Sequence, residues 1–222
     1  MFIKYPEIKT LFKLIPSDEY GKKWSATSGE ILPETAALHF LPIEDLVFTE
    51  KIDGTNMGIR INNGVVSHVQ KREHICNRED KGDSFYFELG DKIRDIVEDK
   101  NIDVLKNVII YGELCGVKIQ KGGNYFPDRH FIIFDIYDTI LNKFFTWDAL
   151  QYFVAELGIE SVPEIKYDKP NLNVENVKEF ILDQMSVYNN NFCAEGFVVR
   201  YRKDTSPVRR WMAKIRKKDF KA

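Results

Sequence analysis

The sequence predicts an α+β fold made of antiparallel sheets with flanking helices. Three observations lead there. Apolar–polar alternation in short runs marks strands, and at least one pair of them is joined by a two-residue turn. Strands paired mostly by hairpins, with helices between them, argue for antiparallel sheets rather than a doubly wound fold. There is no internal repeat and no low-complexity linker.

The first forty or so residues are broken by Pro6, Pro16, Pro33 and Pro42 and read as short elements and loops. LVFTEK then reads as a strand. MGIRIN and VVSHVQKR alternate on either side of Asn63-Gly64, which predicts a hairpin. Phe85, Leu89, Ile93 and Val97 predict one apolar face of a helix from Ser84 to Lys100. VIIYGEL and HFIIFDIY are strands. TWDALQYFVAELG is a capped helix, with Thr146 at its N-cap, Gly158 after its end, and Leu150, Phe153, Val154 and Leu157 as its stripe. VENVKEFILDQM is another helix behind Asn173, and FCAEGFVVRYR and VRRWMAKIR close the chain as strands.

The 222 residues are 44% hydrophobic, enough to bury a sizeable core in one large domain or two small ones. Length permits a split near the middle, but no shift in composition marks one. The formal charge of -2 excludes a general polycation, so any affinity for nucleic acid must come from local patches. Cys76, Cys115 and Cys193 are odd in number and lack a C-x-x-C pair, and His39, His68, His74 and His130 show no ligand spacing. We therefore expect neither a disulfide framework nor a zinc site. The charged start MFIKYPEIKTLFK is unlike a signal peptide, and no apolar run would span a bilayer. These features predict a soluble, intracellular (cytoplasmic) protein without a membrane partner.

Against that background TEKIDGTNMGIR is anomalous. It sets Glu50, Lys51 and Asp53 directly after an apolar strand, where unpaired charge is costly. The anomaly recurs at Glu113, between Gly112 and Gly116, and at Glu195, before Gly196. It recurs again at Lys214 and Arg216, which alternation places on one face of a strand. Either these are ordinary strand-end charges or they face a common cleft. A lysine is a nucleophile only when neutral, and nearby cations and burial favour that form. Glu113 and Glu195 suit a hard divalent ion with phosphate oxygens, and Lys214 and Arg216 suit phosphate itself. Lysine, carboxylates and cations together fit attack on a phosphoanhydride.

KIDGTN (51–56), VQKR (69–72), YGELCG (111–116), FIIFDIY (131–137), EGFVVR (195–200) and AKIRKKDF (213–220) occur in that order. This series resembles the motifs of covalent nucleotidyltransferases, and most closely those of ATP-dependent nick-sealing RNA ligases of the phage and kinetoplastid-editing type. The resemblance spans residues 47 to 220. It implies a ligase-type nucleotide cleft and use of ATP with Mg²⁺ or Mn²⁺. Lys51 would be adenylated. The AMP would pass to an RNA 5′-phosphate, which a 3′-OH would attack, releasing AMP. It implies that Glu50, Ile52, Glu113, Phe134 and Lys214 contact the nucleotide, Glu113 at the sugar and Phe134 on the base. Lys214 and Arg216 would act on the α-phosphate, Glu195 would serve the metal, and Asn56 and Arg72 would contact substrate. RNA ends, in a nicked duplex, are the implied partner.

Two features depart from the pattern. Arg216 stands where lysine is commoner. The chain also ends just after the last motif, so the expectation is a single adenylation domain over 1–222 with no C-terminal domain, whose end-binding role a separate protein would fill.

Other readings stay open at this level. Arg72 is either a substrate contact or a strand-face arginine, and Phe134 is by default a core residue. Alternation puts Asp135 opposite Phe134 and makes it structural, as we also read the cysteines and histidines. Lys217, Lys218 and Lys221 belong to a solvated terminus or meet a nucleic-acid backbone. GGNYFPDR (122–129) reads as a loop at a cleft mouth. A DNA ligase, a guanylyltransferase and an inactive nucleic-acid-binding module are the competing functions.

Overall fold

The computed structural model describes residues 3–16, 24–119, 125–189 and 191–220. Its strands are Phe12–Pro16 (β1), Trp24–Ile31 (β2), Leu46–Glu50 (β3), Thr55–Asn62 (β4), Val65–Lys71 (β5), His74–Ile75 (β6), Val108–Gly116 (β7), Arg129–Asp138 (β8), Lys143–Phe144 (β9), Glu164–Ile165 (β10), Gly196–Tyr201 (β11) and Met212–Arg216 (β12). Its α-helices are Ser84–Asp99 (α1), Trp147–Leu157 (α2) and Val174–Asp183 (α3). Every pair of neighbouring strands is antiparallel, so the α+β expectation holds.

The chain forms two compact units. The first comprises Met1–Pro6, Asp53–Val162 and Thr205–Val208; the second comprises Glu7–Ile52, Pro163–Asp204 and Arg209–Ala222. The KIDGTN run is therefore divided, with Lys51 and Ile52 in the second unit and Asp53 to Asn56 in the first.

The first unit carries a six-stranded sheet in the order β6-β5-β4-β7-β8-β9. Its β4–β5 hairpin turns at Asn63 (φ 50°) and Gly64 (φ 76°), two left-handed residues whose twist matches that of the strands. Helix α1 covers this sheet with only half of the expected face, Ile93 and Val97. Its buried residues are Phe87, Gly90, Ile93 and Val97, whereas Phe85 and Leu89 are only half-buried. Gly90 explains the difference. A Cβ there would lie 3.2 Å from Val66 and 3.3 Å from Ile59, so the helix approaches the sheet through a residue without a side chain. Helix α2 starts and stops as predicted: the Thr146 hydroxyl accepts from the Ala149 amide, and Gly158 is left-handed at φ 67°.

The second unit carries a four-stranded sheet, β10-β3-β11-β12, and the two-stranded β1-β2. Residues Lys9 to Leu11 run along the outer edge of β12. Lys214 N donates to Lys9 O at 2.8 Å, and Leu11 N donates to Lys214 O at 3.1 Å. Helix α3, capped by Asn173, closes one face of the sheet. Phe48 stacks on Tyr167 with ring centres 4.3 Å apart, and Phe180 packs edge-on to both. The sheet's other face carries Val47, Thr49, Val198, Arg200 and Met212, all buried, together with Lys214 and Arg216.

The three cysteines are free, Cys76 and Cys115 buried and Cys193 exposed. Among the described residues no helix is long and apolar enough to cross a membrane. Lys221 and residues 122–124 of GGNYFPDR lie outside the described residues.

Candidate active site

In the second unit, antiparallel register builds a row of functional side chains. Glu50 faces Phe197, and Phe197 faces Ile215. One step further, the Lys51 amide donates to the Gly196 carbonyl at 2.8 Å, and Gly196 faces Arg216. Lys51 and Arg216 thus flank Gly196 on the face opposite Glu50, because successive residues of a strand point to opposite sides. Lys214 lies two residues from Arg216 on that same face, while Ala213 and Ile215 go to the core.

Gly196 is required by close approach. A Cβ there would fall 2.2 Å from the Ile215 carbonyl oxygen and 2.9 Å from the Arg216 Cα. Beside it, the Glu195 carbonyl accepts from the Lys217 amide at 2.9 Å, anchoring the glutamate at the sheet end. Its side chain turns to Lys51. Nζ of Lys51 donates to Oε2 of Glu195 at 2.6 Å, both groups about 30% exposed (29% and 31%). The other carboxylate oxygen of Glu195 makes no hydrogen bond among the described residues.

Burial, then the Arg216 charge, holds the Lys214 amine below the ordinary lysine range; Lys51 adds to this, and Glu7 and Asp219 oppose it. Arg216 is gripped by Asp219 through two bonds, Nε to Oδ2 at 3.0 Å and an Nη to Oδ1 at 2.9 Å. The tail is not a free solvated end through Phe220. Asp219 and Phe220 are buried in the short 3₁₀ turn Lys217–Phe220, which leaves Lys217 half-buried and Lys218 exposed.

Glu50 is 1% exposed and points into the second unit's interior. Its Oε2 accepts from the Val187 amide at 2.8 Å, and Oε1 has no partner among the described residues. Desolvation raises its carboxyl above the ordinary range, partly offset by Val187 and the Ser186 hydroxyl. Ile52 is buried as well.

In the first unit, Asn56 on β4 lies directly opposite Glu113 on β7, and both are half-exposed within otherwise buried stretches. Gly54 brings the preceding chain close. A Cβ there would sit 2.4 Å from the Leu114 carbonyl oxygen and 2.8 Å from Glu113 Cγ. Gly112 gives the same clearance against the Phe131 ring, at 2.5 Å. The Asp53 amide donates to the Tyr125 hydroxyl at 3.1 Å.

Phe134 is half-exposed rather than core. Register explains why: Tyr111 faces Asp135 and Gly112 faces Ile133, so Phe134 is the extra residue of a β-bulge. The bulge also overturns the strict alternation expected for Asp135. Tyr5 touches both residues, its ring 5.0 Å from that of Phe134 and its hydroxyl donating to Asp135 Oδ2 at 2.8 Å. Asp135 is fully buried on that bond and structural, as expected. Arg72 is exposed and left-handed (φ 52°) in the β5–β6 turn, where its amide donates to the Asn56 carbonyl at 2.8 Å.

A family model described as RNA ligase matches residues 44–216. The chain belongs to the RNA ligase family. Solved structures of Naegleria gruberi RNA ligase share its fold. An apo point mutant matches at 18% identity and TM-score 0.67 over 97% of this chain and 62% of that one. A second point mutant, with ATP and Mn, matches at 18% and 0.67 over 96% and 61%. A third, with AMP and Mn, matches at 18% and 0.63 over 95% and 61%. The chain thus spans about three fifths of the length of these ligases. A sequence search of curated proteins finds no match.

Sequence reading of this RNA ligase family member missed four residues that hold candidate side chains in the two units. Asp219 had a weak signal, its spacing of three from Arg216 at the start of a turn. Tyr5 and the Ser186–Val187 pair had none, because their partners are remote in sequence. It also missed that His74, Cys76 and Asp83 lie together, their potential ligand atoms within 4.8 Å of one another. Asp83 there accepts from Lys71 at 2.6 Å and from the Asn77 amide at 2.9 Å, and it meets His74 at 2.9 Å. Those bonds hold its carboxyl well below the usual range, while burial pushes the Cys76 thiol up to about 11. The group knits the β5–β6 turn to the start of α1.

Proposed function

We propose that residues 1–222 act as one adenylation domain of an ATP-dependent RNA ligase, with Lys51 as the nucleophile. The observation that carries this reading is the 2.6 Å contact of Lys51 with Glu195 on the face that holds Lys214 and Arg216. Glu195 orients the amine. As the Nζ–Pα bond forms, the bond from Pα to the bridging oxygen breaks, and its electron pair leaves on pyrophosphate. Glu195 takes the first proton from the ammonium to leave a neutral amine, and the second, shed as the Nζ–Pα bond forms, goes to solvent. Lys214 and Arg216 hold the α-phosphate and offset the charge that develops on it. Asp219 keeps the Arg216 guanidinium in place.

Glu195 also fits a divalent metal, since its second oxygen makes no hydrogen bond among the described residues and hard cations select carboxylate and phosphate oxygens. Bound there, Mg²⁺ or Mn²⁺ would neutralise phosphate charge. The ATP and Mn of the Naegleria structures support the same pairing. Glu113 contacts the ribose and Phe134 the base, the bulge having turned the ring out of the core. The side chains of Glu50 and Ile52 are buried, so their contact with nucleotide is through main-chain atoms. Asn56 and Arg72 face the RNA.

In this reading AMP passes to an RNA 5′-phosphate and a 3′-OH then displaces it, in a nicked duplex. The free, partly buried cysteines support an intracellular setting.

The test is direct. Protein incubated with Mg²⁺ or Mn²⁺ and α-labelled ATP or GTP, then denatured, should carry acid-labile label from ATP that Lys51→Ala abolishes. Label from GTP alone would assign a capping activity. No label from either, with the fold intact by circular dichroism, would leave a binding module.

A further inference from the structure

The first unit holds a group of side chains that the proposed function does not use. His74, Cys76 and Asp83 converge at the β5–β6 turn, with a nitrogen, a sulfur and a carboxylate oxygen within 4.8 Å of one another. Strand pairing brings the first two there. His74 faces Lys71 on β5, and the Cys76 amide donates to the Val69 carbonyl at 2.9 Å. Alternation along an extended chain puts His74 and Cys76 on one side, with the exposed Ile75 on the other. Asp83 arrives from the residue before α1.

This donor set has a definite chemical preference. Thiolate and imidazole suit Zn²⁺, whereas Mg²⁺ and Mn²⁺ favour oxygen ligands throughout. Zinc bound through nitrogen and oxygen at about 2.0 Å and sulfur at about 2.3 Å sets its ligand atoms roughly 3.3–3.6 Å apart in a tetrahedron. His74 Nε2 and Asp83 Oδ2 already lie 2.9 Å apart, and the sulfur is within 4.8 Å of both ligand atoms. Side-chain movements of about an ångström therefore bring the three to bonding geometry.

The surroundings are prepared for a cation. The Asp83 side chain is 3% exposed and already holds one, the Lys71 ammonium at 2.6 Å. Lys71 lies 4.4 Å from the centre of the Tyr86 ring, on the wall of an open depression of about 610 Å³ that His74 also lines. It has room to swing outward and yield its place, and the depression gives an ion a way in. The Asn77 amide, donating to Asp83 Oδ2 at 2.9 Å, is an outer partner of the kind that orients a ligating carboxylate.

We propose that His74, Cys76 and Asp83 bind one Zn²⁺, with water in the fourth position on the side of the depression. Zinc ionises a coordinating thiol outright, so Cys76 gives its proton to solvent as the Zn–S bond forms. The ion would lock the turn that carries Arg72 to the start of α1. The proposal does not rest on the function proposed above.

Titration of the full chain with Co²⁺, a spectroscopic stand-in for Zn²⁺, tests this without any reaction. Wild type should show a near-ultraviolet thiolate-to-cobalt charge-transfer band that saturates at one equivalent, and added Zn²⁺ should bleach it. Cys76→Ser should abolish the band. His74→Ala should weaken Co²⁺ binding at least about tenfold. Cys193→Ser, which removes the exposed thiol, should change neither. If Cys76→Ser fails to fold by circular dichroism, His74→Ala decides, since that side chain is 56% exposed. Absence of the band in wild type would overturn the site and leave an ion-pair cluster. So would equal affinity in His74→Ala. A band lost in Cys193→Ser would overturn it too, giving the metal to the Cys193–Met185 sulfur pair.

Discussion

Lys51 Nζ lies 2.6 Å from Oε2 of Glu195, although 144 positions separate the two residues in sequence. Antiparallel pairing of β3 with β11 creates that contact, and Gly196 keeps the row beside it open. Lys51→Arg isolates the chemistry. Arginine keeps the charge and can reach Glu195, but it offers no neutral amine. Adduct formation should fall below detection, while the urea midpoint moves by less than about 0.5 kcal/mol in stability, as befits a partly exposed pair.

Gly196→Ala should damage fold and chemistry together. Its Cβ would meet backbone atoms, which cannot swing aside as a side-chain tip can. Overpacking of this kind costs about 1–3 kcal/mol. Chemical denaturation should show that loss. Adenylation at a temperature where the variant stays folded should fall further, since β12 must shift and carry Arg216 with it.

Under the proposed function, Lys214 should set the alkaline limit of nucleotide binding. Its pKa is lowered from 10.5, so it loses its charge at lower pH than an ordinary lysine. Affinity for ATP should therefore decline as pH rises through that depressed value, before other lysines titrate. Lys214→Arg stays charged and should flatten this limb. An unchanged pH profile in the arginine variant would separate Lys214 from phosphate binding.

Asp219→Asn should free Arg216. The variant loses a charge-assisted, two-point grip worth about 1.5–3 kcal/mol per charged hydrogen bond before any rearrangement. Half-saturation for ATP should rise roughly tenfold, with the maximal adduct yield reduced less. An effect on thermal stability alone would make Asp219 structural only.

Glu50 predicts a pH-dependent stability of definite sign. Burial raises its carboxyl above 4.5, so the folded protein holds that proton more tightly than the unfolded chain does. The associated stability is complete below 4.5 and is lost as pH rises through the folded value. Glu50→Gln removes this titration. The stability of the variant relative to wild type should then increase with pH across that window and level off above it, as followed by urea midpoints.

The elements most legible in the sequence were those defined by neighbours along the chain. The caps at Thr146, Gly158 and Asn173 and the turn at Asn63-Gly64 depend on residues within four positions, and all occur as expected. Helix α1 was placed correctly and Ile93 and Val97 are buried as expected, but its first turns bury Phe87 and Gly90 instead of Phe85 and Leu89, because Gly90 packs by what it lacks. Phe134 and Asp135 show the same limit. Alternation assumes an unbroken ladder, and the bulge that ends it is set by pairing with β7.

By itself the sequence determined the α+β class, the order of the ligase motifs and the family to which the chain belongs, since these are properties of local pattern and order. Tertiary structure alone decided that Lys51 meets Glu195 and that Asp219 grips Arg216. Each of these depends on strand register, and register is settled by which side chains the whole core can bury at once.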